Sequence, residues 1–75
     1  MVTFNVSFKS INGVQEFVNI VSKYQYDVDL VSGRYVVNAK SIMGIYSLDL
    51  SKPIEVNAIT DNADELKAEL KDFIC

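Results

Sequence analysis

The sheet of this protein begins with the segment Val2-Thr3-Phe4-Asn5-Val6-Ser7-Phe8-Lys9, in which apolar and polar residues alternate without a break. Successive side chains of a β-strand point to opposite faces, so valine and phenylalanine share one face of this strand and polar groups share the other. The segment therefore predicts a half-buried strand, in a sheet that has one covered face and one face in water.

The alternation of strands and the 3.6-residue period of helices predict the remaining elements of the chain. In chain order they are a helix from Asn12 to near Tyr24, a strand at Val28–Leu30, a turn at Ser32-Gly33, a strand at Tyr35–Ala39, a short helix at Ser41–Tyr46, a strand at Ile54–Ala58 and a helix from Asn62 to Ile74. The order is β-α-β-β-α-β-α and every strand keeps a polar face. We therefore expect one domain over residues 1–75, an α+β open-faced sandwich with its helices on one side of the sheet.

Both longer helices are predicted to begin at an asparagine. Asn12 is followed three residues later by Gln15, and Asn62 is followed by Glu65, which is the spacing of a capping box. Apolar residues then recur at the helical period. These are Val14, Phe17, Val18 and Val21 in the first helix, and Ala63, Leu66, Leu70, Phe73 and Ile74 in the last.

Composition narrows the classes of function. The formal net charge is −3, and the seven Lys and Arg residues are scattered singly, so a nucleic-acid partner is not expected. Neither a signal peptide nor a membrane-spanning run is present, which makes the cytoplasm the expected location. The single cysteine, Cys75, allows no intrachain disulfide and is expected to close the last helix as a small apolar residue.

Nothing in the sequence predicts an enzyme, a cofactor or a metal site. The chain has no histidine, no glycine-rich phosphate loop and no pairing of a nucleophile with a base. The carboxylates of Asp27 and Asp29 are expected to be solvated. Those of Asp61, Asp64 and Glu65 are expected to belong to the start of the last helix.

The segment from Val37 to Leu48 resembles the regulatory-serine segment of the HPr family, the phosphocarrier proteins of the bacterial sugar phosphotransferase system. Lys40-Ser41-Ile42-Met43-Gly44 is the specific part of the match, while the element order, the length and the Ser22-Lys23-Tyr24 run also look like that family. The resemblance implies a four-stranded antiparallel sheet of order 1-4-2-3 with three helices on one face.

The chain departs from the family where the phosphate carrier would lie. HPr proteins have a Gly-Ile-His-Ala-Arg-Pro-like stretch before the first helix, whose histidine accepts phosphate from enzyme I. An alignment without gaps back from Ser22 places Ser10 at the histidine position, Asn12 at the arginine position and Gly13 at the proline position. A serine phosphate ester is far less labile than a phosphoramidate, so we expect no phosphohistidine relay. Ser10 is expected to be a polar loop residue.

The resemblance also implies two candidate sites on the short helix. Ser41 matches the serine that an ATP-dependent HPr kinase phosphorylates, although its side chain is equally suited to be only a helix cap. The apolar residues after it match a docking patch for enzyme I, the kinase and transcriptional regulators, and equally fit a core stripe. The implied docking positions are Lys40, Ile42, Met43, Gly44 and Tyr46.

Two functions therefore remain open. The first is a regulatory HPr paralogue, similar to the Crh branch that also lacks the histidine, phosphorylated on Ser41 and bound to a regulatory protein. The second is an HPr-fold adaptor that binds a protein partner without phosphorylation. Asn12 in place of the arginine puts binding of the usual transcriptional regulator in doubt, and Asp49 stands where HPr commonly has a small residue. A monomer or a weak dimer is expected in either case.

Overall fold

The computed structural model describes all residues from 1 to 75 and contains four strands and three helices. The strands are β1 (Val2–Val6), β2 (Val28–Ser32), β3 (Tyr35–Asn38) and β4 (Ile54–Ala58). The helices are α1 (Ile11–Val21), α2 (Ile42–Tyr46) and α3 (Asp64–Glu69). The predicted element order is confirmed. None of the three helices has the length and apolar content needed to cross a membrane.

The four strands form one antiparallel sheet of order β1-β4-β2-β3. In β4, Val56 pairs with Phe4 of β1 on one side and with Leu30 of β2 on the other. Leu30 pairs in turn with Val37 of β3. This row crosses the inner face of the sheet, whereas polar side chains such as Asn57 occupy the outer face. The expected α+β open-faced sandwich is confirmed.

The core consists of 17 buried residues, all of them apolar. The helices contribute Phe17 of α1, Ile45 of α2 and Leu66 of α3 to the same cluster as the inner face of the sheet. No buried side-chain nitrogen or oxygen lacks a hydrogen-bond partner. Burial of apolar surface therefore holds the fold together, with no buried polar group to offset it.

Three phenylalanines join the two ends of the chain to α1. Phe8 lies 5.2 Å from Phe17 and 5.9 Å from Phe73, measured between ring centroids, and Phe17 also lies 5.9 Å from Phe73. The Phe8–Phe17 and Phe17–Phe73 pairs meet edge to face, the arrangement that the aromatic quadrupole favours. Although the predicted strand extends to Lys9, β1 ends at Val6, because Phe8 turns out of the ladder to join this cluster.

The first helix begins earlier than predicted. Ser10, not Asn12, is the N-cap of α1, and its Oγ accepts a hydrogen bond from Gly13 N at 3.2 Å. Asn12 lies in the first turn, where its side chain is exposed, and the third helical position is glycine, so the predicted capping box with Gln15 is wrong. Serine and asparagine cap helices about equally well, and the extended backbone of Ser10 decides between them.

The last helix is also shorter than predicted. Ala63 occupies the N-cap position of α3 without a side-chain bond, and Asn62 Oδ1 accepts instead from Asp64 N at 2.9 Å, two residues on. The predicted capping box from Asn62 to Glu65 is therefore wrong. Asn62 forms an Asx turn, which a short polar side chain makes as readily as a cap.

After α3, the chain turns back along β1. Ile74 forms a β-bridge with Val6, and Cys75 N donates to Asn5 O at 3.2 Å. The predictions that Ile74 belongs to the helical stripe and that Cys75 closes a helix are both wrong, and the cysteine is exposed. Backbone groups at the β1 edge offer the terminal residues hydrogen bonds that a fraying helix end does not.

The β2–β3 hairpin turns one residue later than predicted. Ser32 pairs with Tyr35, so the two-residue turn is Gly33-Arg34. Gly33 has a positive φ of 61° as the first central residue, which is the position that requires glycine in a type II′ turn. This turn leaves β3 at the edge of the sheet.

The location of the α1 cap can be tested by paired substitutions. We expect Ser10→Ala to lower the free energy of unfolding by about 1 kcal/mol, because the backbone N–H of Gly13 loses its acceptor. Asn12→Ala is the matched control and should change stability by less than about 0.5 kcal/mol, since the exposed Asn12 side chain caps nothing. Urea unfolding followed by circular dichroism measures both, and a larger loss for Asn12→Ala contradicts the assignment.

Candidate functional site

Ser41 begins α2 as the sequence predicts. It is exposed, its backbone is extended, and its Oγ accepts a hydrogen bond from Gly44 N at 3.3 Å. Its own N–H donates to Asn38 O at 3.0 Å, which fixes the entry into the helix. The residue is thus exposed to solvent while its hydroxyl makes the N-cap bond of a five-residue helix.

The two sides of α2 differ in burial. Ile45 is fully buried, and Ile42 is half-buried against the core. Met43 is 75% exposed and Tyr46 is 39% exposed. The structure therefore leaves two of the three predicted apolar docking side chains in water, and the third contributes only part of its surface.

Gly44 faces the sheet. A Cβ placed on Gly44 would lie 3.4 Å from Val37 Cβ and 3.3 Å from Ser41 Oγ. The missing side chain lets α2 pack closely on β3 and leaves room for the Ser41 hydroxyl. Gly44 accordingly positions Ser41 from within the fold.

Lys40 is tied to the segment that follows α1. Its Nζ donates to the carbonyl oxygen of Tyr24 at 2.7 Å, and its backbone N donates to Asn38 Oδ1 at 2.9 Å. The ammonium thus links the start of α2 to the chain three residues after the end of α1. The predicted docking position at Lys40 is only partly exposed.

A polar cluster that the sequence did not predict lies beside this tether. The Tyr24 hydroxyl donates to Glu69 Oε2, and Lys23 Nζ forms an ion pair with Glu69 Oε1 at 2.9 Å. The bond to Glu69 raises the pKa of Tyr24 to about 12, with partial removal from water and the negative charge of Glu69 adding to the effect. The same bond, followed by the bond from Lys23, lowers the pKa of Glu69.

The surface next to Ser10 carries more negative than positive side chains. A shallow groove of about 220 Å³ beside the start of α1 is lined by Lys9, Glu16, Glu69 and Asp72, together with Ser10 itself. The Ser10 hydroxyl is held as the cap of α1 and is exposed. Glu69 is already paired with Lys23. The two remaining carboxylates, of Glu16 and Asp72, outnumber Lys9 and make this groove unfavourable for binding a phosphoryl group.

Ile11, the next residue, is 72% exposed, an apolar surface that the sequence analysis did not single out. Because the sequence placed the start of the helix at Asn12, Ile11 lay outside the predicted helix and carried no signal of its own.

Asp49 lies in the loop between α2 and β4. Its Oδ1 accepts from Ser51 N at 3.1 Å and from the Ser51 hydroxyl, and these bonds lower the pKa of Asp49. The carboxylate is therefore held by its own loop, three residues after Tyr46.

Comparisons with known proteins extend over nearly the whole chain. A family model described as the PTS HPr component phosphorylation site matches residues 10–74. The crystal structure of HPr-C-His from Thermoanaerobacter tengcongensis is similar with a TM-score of 0.75 and 32% sequence identity, covering 95% of this chain and 85% of that chain. The crystal structure of the phosphocarrier protein HPr from Bacillus anthracis str. Ames is similar with a TM-score of 0.78 and 29% identity, covering 96% and 95%.

The bond between Tyr24 and Glu69 can be tested by titration. We expect Glu69→Gln to bring the pKa of Tyr24 down from about 12 toward 10.0, because the amide is a weaker hydrogen-bond acceptor than the carboxylate and carries no negative charge. Ultraviolet absorbance measures tyrosinate, and Tyr24→Phe identifies the phase, since the pKa of Tyr26 is raised as well. Glu55→Gln on β4 is the matched control and should leave the profile unchanged.

The same bond should make stability depend on pH in the alkaline range. A pKa raised in the folded state means that the folded chain holds this proton more tightly than the unfolded chain. The stabilisation is then complete below pH 10.0 and is lost as the pH rises toward about 12. A stability difference between wild type and Tyr24→Phe that stays constant across this range contradicts the assignment.

Proposed function

The chain belongs to the HPr family, and from this premise we propose that it is a regulatory member, phosphorylated on Ser41 by an HPr-kinase-type enzyme and docking a protein partner through α2. The observation that carries the proposal is the exposed Ser41 hydroxyl at the start of a helix whose Met43 and Tyr46 side chains are also in water. The substrate hydroxyl and an apolar recognition surface are thus on one short segment.

Relay of phosphate on histidine is not part of the proposal. The chain contains no histidine, and an ungapped alignment places Ser10 at that position. A phosphoramidate transfers its phosphoryl group readily at neutral pH, whereas a serine ester does not. The Ser10 hydroxyl is also engaged as a cap and bordered by Glu16 and Asp72, which would repel a phosphorylated donor.

Phosphate on Ser41 is compatible with the surrounding charge. A phosphate adds close to two negative charges at neutral pH, so nearby carboxylates would oppose it. The segment 37–48 contains no aspartate or glutamate, and the N–H of Gly44 already points at the Ser41 oxygen. The modification would then change the surface next to Met43 without disturbing a buried group.

The apolar part of α2 suits a protein partner. A methionine side chain adapts its shape to different surfaces, and Tyr46 offers a ring together with a hydroxyl. HPr-family proteins interact with other proteins of the phosphotransferase system. We propose that a kinase and a regulatory protein share this surface, in the cytoplasm, where ATP is available to the kinase.

A second candidate is an adaptor that is never phosphorylated. The cap bond from Gly44 to Ser41 favours it, because a capping role alone explains the serine and is worth about 1 kcal/mol. In this case the exposed Met43 and Tyr46 would bind a partner constitutively.

Intact-mass measurement distinguishes the two candidates. After incubation with HPr kinase and ATP, we expect wild type to gain one phosphate and Ser41→Ala to gain none. Ser47→Ala is the matched control, because Ser47 is an exposed hydroxyl at the other end of the same helix, and it should gain one phosphate. No gain in wild type favours the adaptor, and a gain retained in Ser41→Ala contradicts the site.

The docking surface can be tested with the same kinase. We expect Met43→Glu to lower kcat/KM for phosphorylation at least about tenfold. The complex would bury this side chain, and loss of one apolar anchor costs on the order of 1.4 kcal/mol or more in binding. Ile59→Glu places the same charge on another exposed apolar residue, outside α2, and should be phosphorylated like wild type. Equal effects of the two variants would indicate general repulsion and not docking at Met43.

A further inference from the structure

Strand β3 is an edge strand with two exposed apolar side chains. Tyr35 is 70% exposed and Val36 is 63% exposed, and β3 pairs only with β2. The strand contains no charged residue and no proline. Natural sheets usually protect such an edge, because its free N–H and C=O groups are a template for a second strand.

One end of the opposite edge of the sheet is covered by the C-terminal residues of the chain. Ser7 N donates to Phe73 O at 2.8 Å, Cys75 N donates to Asn5 O at 3.2 Å, and Ile74 forms a bridge to β1. Only β3 is therefore open along its whole length. Pairing through one self-complementary edge closes at a two-fold dimer and cannot continue into a fibre.

We propose that β3 pairs antiparallel with β3 of a second copy of this chain, about a two-fold axis at Val36, so that the two sheets join into one of eight strands. The direction of the existing hydrogen bonds leaves few choices of register. Ala39 N donates inward to Val28 O at 2.8 Å. Since inward and outward residues alternate along the strand, the backbone groups of Val36 and Asn38 point to the open edge.

The proposed register brings apolar side chains together on both faces. Val31 pairs with Val36 within one chain. An axis at Val36 sets this pair beside the same pair of the partner, so that four valines form one row across the joined sheet. On the inner face, Tyr35 lies opposite the partner's Val37, an aromatic and β-branched pair of the kind that stabilises neighbouring strands.

Complementary charges favour this register and favour a second copy of the chain as the strand that pairs with β3. Arg34, in the turn directly before β3, comes near the partner's Asn38, which is itself paired with the partner's Asp29. Strands are ~4.8 Å apart, so the long guanidinium side chain can reach that carboxylate across one strand. Neither charge has an ion-pair partner within one chain. An axis moved to Val37 would instead set Arg34 against the partner's Lys40.

The dimer should be weak. Pairing of two four-residue strands covers much less than the roughly 800 Å² per partner of a standard stable interface. We therefore expect association that depends on concentration and not a permanent dimer. The contact does not involve Ser41, so this inference stands or falls independently of phosphorylation.

Sedimentation velocity tests the proposed surface. For wild type from about 10 μM to about 1 mM, we expect the mean sedimentation coefficient to rise from that of a monomer toward that of a dimer. Val36→Lys should remain monomeric throughout, because two ammonium groups would meet at the axis. Ile59→Lys, the same change at another exposed apolar residue, directly after β4, is the control and should dimerise like wild type. Circular dichroism verifies that both variants are folded.

Disulfide cross-linking in a Cys75→Ser background tests the register. Val36→Cys should form a covalent dimer under mild oxidation, because facing hydrogen-bonded residues have Cα atoms about 5.5 Å apart. Asn38→Cys should not, because its two copies would be about 13 Å apart. The proposal is overturned by a wild type that stays monomeric over the whole range, by a dimer that Val36→Lys leaves intact, or by equal cross-linking at both positions.

Discussion

The row of side chains across the inner face of the sheet is the contact on which the rest of the molecule depends. Because β4 lies between β1 and β2, Val56 packs between Phe4 and Leu30, and Leu30 extends the row to Val37 at the open edge. Phe17 of α1 is buried in the same cluster. A chain of 75 residues can form only one small core, and all of the residues buried in it are apolar.

The candidate site lies at the end of this row. Gly44 rests on Val37, which fixes how closely α2 approaches the sheet, and Ser41 is capped by the N–H of the same glycine. Lys40 ties the entry of the helix to the carbonyl of Tyr24. The sheet and the segment after α1 thus hold Ser41 in place from two directions, while its hydroxyl remains accessible.

How much the sequence could predict follows from the range of each interaction. Strand order, element order and the cap at Ser41 were predictable, because alternation and capping are local patterns and the family resemblance supplies the topology. The cap of α1 was misplaced, since Ser10 and Asn12 are equivalent caps until the backbone is known. The bond between Tyr24 and Glu69 was missed, because the two residues are 45 positions apart and neither has a local signature.

The chemical nature of the phosphoryl bond on this chain is measured most directly by ³¹P NMR, after separate incubations with enzyme I and phosphoenolpyruvate and with HPr kinase and ATP. We predict the signal of a serine phosphate ester in the ATP sample, absent from Ser41→Ala, and no protein-bound phosphate in the phosphoenolpyruvate sample. A phosphoryl group acquired from phosphoenolpyruvate, or an ester carried by a serine other than Ser41, would contradict the proposal that this chain is regulated through Ser41 and does not relay phosphate.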